Sequence, residues 1–118
     1  MSEHAFHARD VDVSPGDVRA RHERGEIQLV DVREGYEHEA GRIAGARHIE
    51  IERLAAQAET IERDRPVVFY CRLGARSGMA ANAFRRAGWE AYSMVGGLEA
   101  WDRDGLPLEP DGGHVADH

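Results

Sequence analysis

The sequence is short of several things, and each shortage excludes something. It has one cysteine, Cys71, in 118 residues, so no intrachain disulfide and no multi-cysteine metal site can form. No apolar run approaches the ~18 residues that suggest a membrane-crossing helix, and no membrane partner is expected. The opening residues MSEHAFHARD are polar and lack the apolar segment of a secretory signal. Positive charge is in deficit: the formal net charge is -7, which argues against nucleic acid as a partner. A glycine-rich dinucleotide fingerprint is missing, as is a phosphate-binding Walker loop. No cofactor is therefore expected. His38, His48, His114 and His118 are scattered, without the cysteine or carboxylate spacing of a metal site. No metal is expected either. A reduced, cytoplasmic compartment suits a chain with one thiol.

What is present is enough for one core. Apolar residues make up 42%, and the length suits one domain rather than two. Ser14 followed by Pro15 starts a helix, with Asp17 near its positive end and a stop at Gly25. Residues 27–32, 46–49, 67–70 and 91–95 read as strands. Val11 and Val13 are expected to pair with a sheet edge, residues 35–45 to be mostly loop, and residues 50–63 to form a weakly amphipathic helix. A helix over 77–86 carries the pattern Met79, Ala80, Ala83, Phe84, Ala87, and Gly88 ends it. A last short helix begins near Leu98, with Trp101 as a core anchor. Residues 1–10 read as a loose lead-in and 110–118 as a frayed polar tail. Strand and helix alternate, so the fold class is α/β: a small parallel sheet with helices on both faces.

The informative stretch is VVFYCRLGARS, residues 67–77. Four apolar or aromatic residues form a buried strand, Pro66 suits its start, and Cys71 follows at once. A short turn then leads into a helix. The backbone N–H groups of such a turn point inward, and the helix adds the positive end of its dipole. That cradle favours thiolate over thiol, and Arg72 and Arg76 add charge at its rim. The chemistry indicated is nucleophilic attack by Cys71 on an anionic substrate. The bland alternative is a buried, inert cysteine beside a surface loop. A tyrosine-phosphatase loop is one residue longer and needs arginine where Ser77 stands.

The same stretch resembles the active loop of the rhodanese family of sulfurtransferases. Many members read Cys-Arg-x-Gly-x-Arg-Ser, reproduced by Cys71, Arg72, Gly74, Arg76 and Ser77. LVDVRE, residues 29–34, and GGLEAWDRDGLPLE, residues 96–109, resemble two further family signatures, and the likeness covers about 12–108 of the single domain 1–118. Within residues 37–49 the chain departs from the family text. His38 stands where an aromatic is common, Arg42 replaces a histidine, and His48 replaces an asparagine.

The resemblance implies a three-layer α/β fold and a Cys71 persulfide. The cysteine would take a sulfane sulfur from a small anionic donor such as thiosulfate. It would then pass that sulfur to cyanide or a thiol. Arg72, Leu73, Gly74, Ala75, Arg76 and Ser77 would form the substrate-binding loop, the two arginines orienting the anion. Ser77 would either cap the helix or donate to the persulfide, the cap being favoured. Asp31 and Arg33 would support the fold around the loop. A relay module that carries persulfide sulfur between protein partners uses the same loop and is the alternative.

Overall fold

A computed structural model describes residues 10–118, so the expected lead-in lies outside the described residues except for Asp10. Among the described residues five strands form one sheet: β1 (Asp12–Val13), β2 (Gln28–Asp31), β3 (Arg47–His48), β4 (Val67–Tyr70) and β5 (Ala91–Met94). Their order is β1-β5-β4-β2-β3, and all neighbours run parallel. β4 and β5 are buried at every position, as the unbroken apolar text of β4 requires when both faces are covered, with Ser93 the one buried serine of β5.

Side-chain alternation along β4 sorts the two faces. Val68 and Tyr70 point into a core shared with Val18 of α1 (Pro15–Glu23) and with Leu98 and Trp101 of α5 (Gly97–Arg103). Val67, Phe69 and Cys71 point into the opposite core, with Leu54 of α3 (Leu54–Gln57) and Ala80, Ala81 and Phe84 of α4 (Ala75–Arg86). The period of two thus delivers the Cys71 sulfur to the α4 side. The start of α1 is as expected: Ser14 Oγ accepts the Asp17 N–H at 3.2 Å, with Pro15 opening the first turn.

Several local expectations are corrected. Residues 35–45 are not mostly loop: Gly35–Ala40 form helix α2. GYEHEA has no apolar periodicity, so the pattern hides it. The helix is started by a reciprocal capping box between Glu34 and Glu37. The expected helix over 50–63 is broken into a 3-10 turn (Ile51–Arg53), α3, and a second 3-10 turn (Ala58–Thr60). α4 begins two residues before the expected start. Its buried face is Ser77, Ala80, Ala81 and Phe84, while Met79 and Ala83 are exposed. That set follows the i, i+3, i+4, i+7 rule, which the Met79-based reading missed. Residues 109–118 are hydrogen-bonded against α2: the Glu109 and Arg42 backbones pair, and the His114 N–H donates to the Ala40 carbonyl at 2.9 Å. Backbone pairing of this kind is invisible in a polar, glycine-rich text.

Candidate active site

Cys71 follows the last residue of β4, and its chain turns sharply to enter α4. Gly74 makes that turn, with φ +116 at the N-cap of α4, where a Cβ would be strained. The turn aims two backbone donors at one atom. Cys71 Sγ accepts the Gly74 N–H at 3.1 Å and the Ser77 N–H at 3.4 Å. Ser77 Oγ lies 3.5 Å from the sulfur and 2.7 Å from Ser93 Oγ. The two backbone N–H groups stabilise negative charge that develops on sulfur. The expectation that Ser77 caps α4 is corrected: Gly74 holds that position, and the Ser77 hydroxyl lies beside Cys71. Ser93 was not foreseen, because a serine inside a strand carries no sequence signal of its own.

The loop is braced from behind by α5. The Leu98 N–H donates to the Cys71 carbonyl at 2.8 Å and the Glu99 N–H to the Arg72 carbonyl at 3.1 Å. Gly97 lies so close that a Cβ there would collide with the Arg72 and Cys71 carbonyls, and its φ is +61. The helix N-terminus thus spends free N–H groups on the active loop.

Cys71 is 1% exposed and lines a cavity of about 150 Å³ with Arg72, Leu73, Ala75, Arg76 and His118. Both loop arginines reach carboxylates. Arg76 Nη1 and Nη2 donate to Glu37 Oε1 and Oε2 at 2.9 and 3.1 Å. Arg72 Nη2 lies 3.3 Å from Glu99 and 3.5 Å from Asp117. None of these three acids was singled out from the sequence. Burial alone would raise the Glu37 carboxyl, but the Arg76 bonds and charge and the Glu34 N–H hold it below the usual range.

Asp31 and Arg33 form a fully buried pair next to the site. Arg33 Nε and Nη2 donate to Asp31 at 2.9 and 2.7 Å, and Nη2 also donates to the Gly41 carbonyl at 2.7 Å. Burial works against the Asp31 carboxylate, yet the Arg33 bonds and charge, with His38, hold its carboxyl low. Asp31 is the register partner of Tyr70, whose hydroxyl accepts the Ile43 N–H at 3.2 Å. The pair therefore ties the 33–43 segment to the residue before Cys71. His38 Nδ1 is 2.8 Å from Asp31 and its ring stacks on His48 at 4.3 Å. His48 Nε2 pairs with the Arg33 carbonyl at 2.7 Å. Two of the departures from the family text, His38 and His48, thus share one packed unit. Among the described residues no cluster of three or more His, Cys, Asp or Glu is placed to hold a metal, and no helix is long and apolar enough to cross a membrane.

A family profile described as a rhodanese-like domain matches residues 14–104. The chain belongs to the rhodanese-like domain family. The rhodanese-like chain is 34% identical over 104 residues to the thiosulfate sulfurtransferase GlpE of Pseudomonas aeruginosa, covering 87% of this chain and 93% of that protein. It is 41% identical over 118 aligned positions to the HTH-type transcriptional regulator Rv0324 of Mycobacterium tuberculosis, covering 92% of this chain. It spans 52% to 60% of the length of two curated relatives, the regulator being at the lower figure. Among solved structures, a rhodanese-related protein from Thermoplasma volcanium superimposes with a TM-score of 0.77 at 27% identity, over 82% of this chain and 95% of that one.

Proposed function

We propose that this rhodanese-like chain is a sulfurtransferase that works through a persulfide on Cys71. The observation that carries the reading is the Cys71 sulfur at the floor of a cavity, with the Gly74 and Ser77 N–H groups aimed at it. The likeness to a thiosulfate sulfurtransferase supports thiosulfate as donor. Cys71, as thiolate, attacks the outer sulfur of thiosulfate. The sulfur–sulfur bond of the donor breaks, and sulfite leaves with its electron pair. The terminal sulfur of the persulfide then rests among the donors of residues 72–77. Cyanide or a thiolate attacks that sulfur, and Cys71 leaves as thiolate, ready for another cycle.

Within this scheme Arg72 presents positive charge to the anion. Its Nε is buried and has no hydrogen-bond partner, so one donor is unspent. Arg76 acts mainly by positioning, because both its terminal nitrogens hold Glu37. Leu73, Gly74 and Ala75 shape the turn, and Ser77 supports the sulfur. Asp31 and Arg33 support the segment packed beside Tyr70.

A relay of persulfide sulfur between proteins is the second reading. It is favoured by Leu73, 54% exposed at the tip of the active loop, an apolar side chain that a protein partner would cover.

Thiosulfate with cyanide as acceptor tests the first reading. The protein should release thiocyanate, and Cys71→Ser should abolish release while keeping the parent melting curve. Release by Cys71→Ser at the parent rate would remove Cys71 from the reaction. Loading from a protein persulfide but not from thiosulfate would favour the relay.

A further inference from the structure

The C-terminal segment lies beyond the family match, which ends at residue 104, yet it runs to the active loop. Arg42 and Glu109 exchange backbone hydrogen bonds at 2.9 and 2.8 Å. The segment then crosses the end of α2, where His114 donates to the Ala40 carbonyl at 2.9 Å. Gly41 makes that crossing possible, since a Cβ there would collide with the His114 backbone. Further on, the Asp117 carbonyl accepts the Tyr36 hydroxyl at 3.0 Å, and the His118 ring pairs with Glu34 at 3.2 Å. His118 lines the same cavity as Cys71.

The segment also brings a charge. Asp117 Oδ1 is 3.5 Å from Arg72 Nη2, on a guanidinium that already meets Glu99. With Arg76 held by Glu37, each arginine of the loop faces at least one carboxylate. A small anion that approaches Cys71 therefore meets an Arg72 whose Nη2 already faces two carboxylates. The Asp117 side chain is 98% exposed, so it can swing away at little cost. Its effect is a bias on which donor binds rather than a block.

We propose that residues 109–118 form a strap over the Cys71 cavity, and that Asp117 is a specificity-determining residue that disfavours small anionic sulfur donors by competing for Arg72. The selectivity this gives is toward donors of lower charge, such as a singly charged alkyl persulfide, over a dianion. The inference rests on Cys71 as the reacting nucleophile, but its test does not require sulfur transfer.

Cys71 is the only cysteine, so alkylation reads one site. The rate with iodoacetate, an anion, is divided by the rate with iodoacetamide, its neutral analogue of similar size. Asp117→Asn should raise this ratio about twofold to fivefold, the range of an exposed ion pair. The rise should shrink at high salt, where exposed charges are screened. Tyr36→Phe, which cuts a tether of the strap and changes no formal charge at neutral pH, should raise it in the same direction. Both residues are exposed, so folding should survive each change. The thiosulfate KM of Asp117→Asn should fall by a similar factor. An unchanged iodoacetate-to-iodoacetamide ratio in folded Asp117→Asn overturns the proposal. A raised ratio in a protein that takes up sulfur from no sulfane donor would leave the strap standing and sink the sulfurtransferase reading alone.

Discussion

Arg76 and Glu37 join the active loop to α2 through two parallel hydrogen bonds, at 2.9 and 3.1 Å, with the carboxylate fully buried. Fork-to-fork geometry of this kind fixes direction as well as distance. Removing the arginine would leave a buried carboxylate with no cation. Arg76→Ala should lower stability by about 3 kcal/mol, the cost of breaking such a pair from one side. Urea unfolding measures it. Arg76→Ala combined with Glu37→Gln should recover part of the loss, since the second change removes the stranded charge. A single variant as stable as the parent would show that the pair contributes nothing.

Acid should release the same framework. The carboxyls of Asp31 and Glu37 are held below their ordinary values, against burial, by Arg33 and Arg76. A depressed folded value means that the stabilisation is complete above the unfolded value, about 4, and is lost as pH falls through the lower folded values. Melting temperatures measured from neutral pH into strong acid should therefore drop below about pH 4. Glu37→Gln should show a shallower drop than the parent. Parallel curves for the two proteins would contradict this role of Glu37.

Ser77 connects the sulfur to β5. Its hydroxyl is near Cys71 Sγ and 2.7 Å from Ser93 Oγ. Ser77→Ala should keep the fold, at a cost of about 1 kcal/mol, and slow sulfur loading about tenfold. Stopped-flow loading against the melting curve separates the two effects. A variant that loads at the parent rate would confine Ser77 to packing.

Gly97→Ala should be the most disruptive small change near the site. Its added Cβ meets the Arg72 carbonyl, and its φ of +61 disfavours any side chain. Stability should fall by more than about 1 kcal/mol, with faster alkylation of Cys71 as the loop moves. Unaltered stability and alkylation would mean that α5 and the loop can separate freely.

The parts legible in the sequence were those with local rules. The Ser14–Pro15 helix start, the apolar run of β4 and the position of Cys71 at its end each follow from neighbouring residues. The helix α2 was not legible, because its support is the Glu34–Glu37 box and the distant Arg76 rather than an apolar stripe. The fracture of residues 50–63 into a short α-helix between two 3-10 turns was hidden by a periodicity that is only approximate. The partners of the arginines were hidden for a plainer reason. Glu37, Glu99 and Asp117 lie 39, 27 and, for the last, 45 positions from the arginines they meet, and only the fold brings them together.

The intact mass of the protein after exposure to thiosulfate, with no acceptor present, tests the role of Cys71 most directly. One sulfur atom should be gained, an increase of about 32 Da, as expected for a persulfide. Peptide mapping should place it on Cys71, and cyanide should remove it with release of thiocyanate in matching amount. If no sulfane donor leaves an adduct on folded, reduced protein whose Cys71 still reacts with iodoacetamide, Cys71 is not a sulfur carrier.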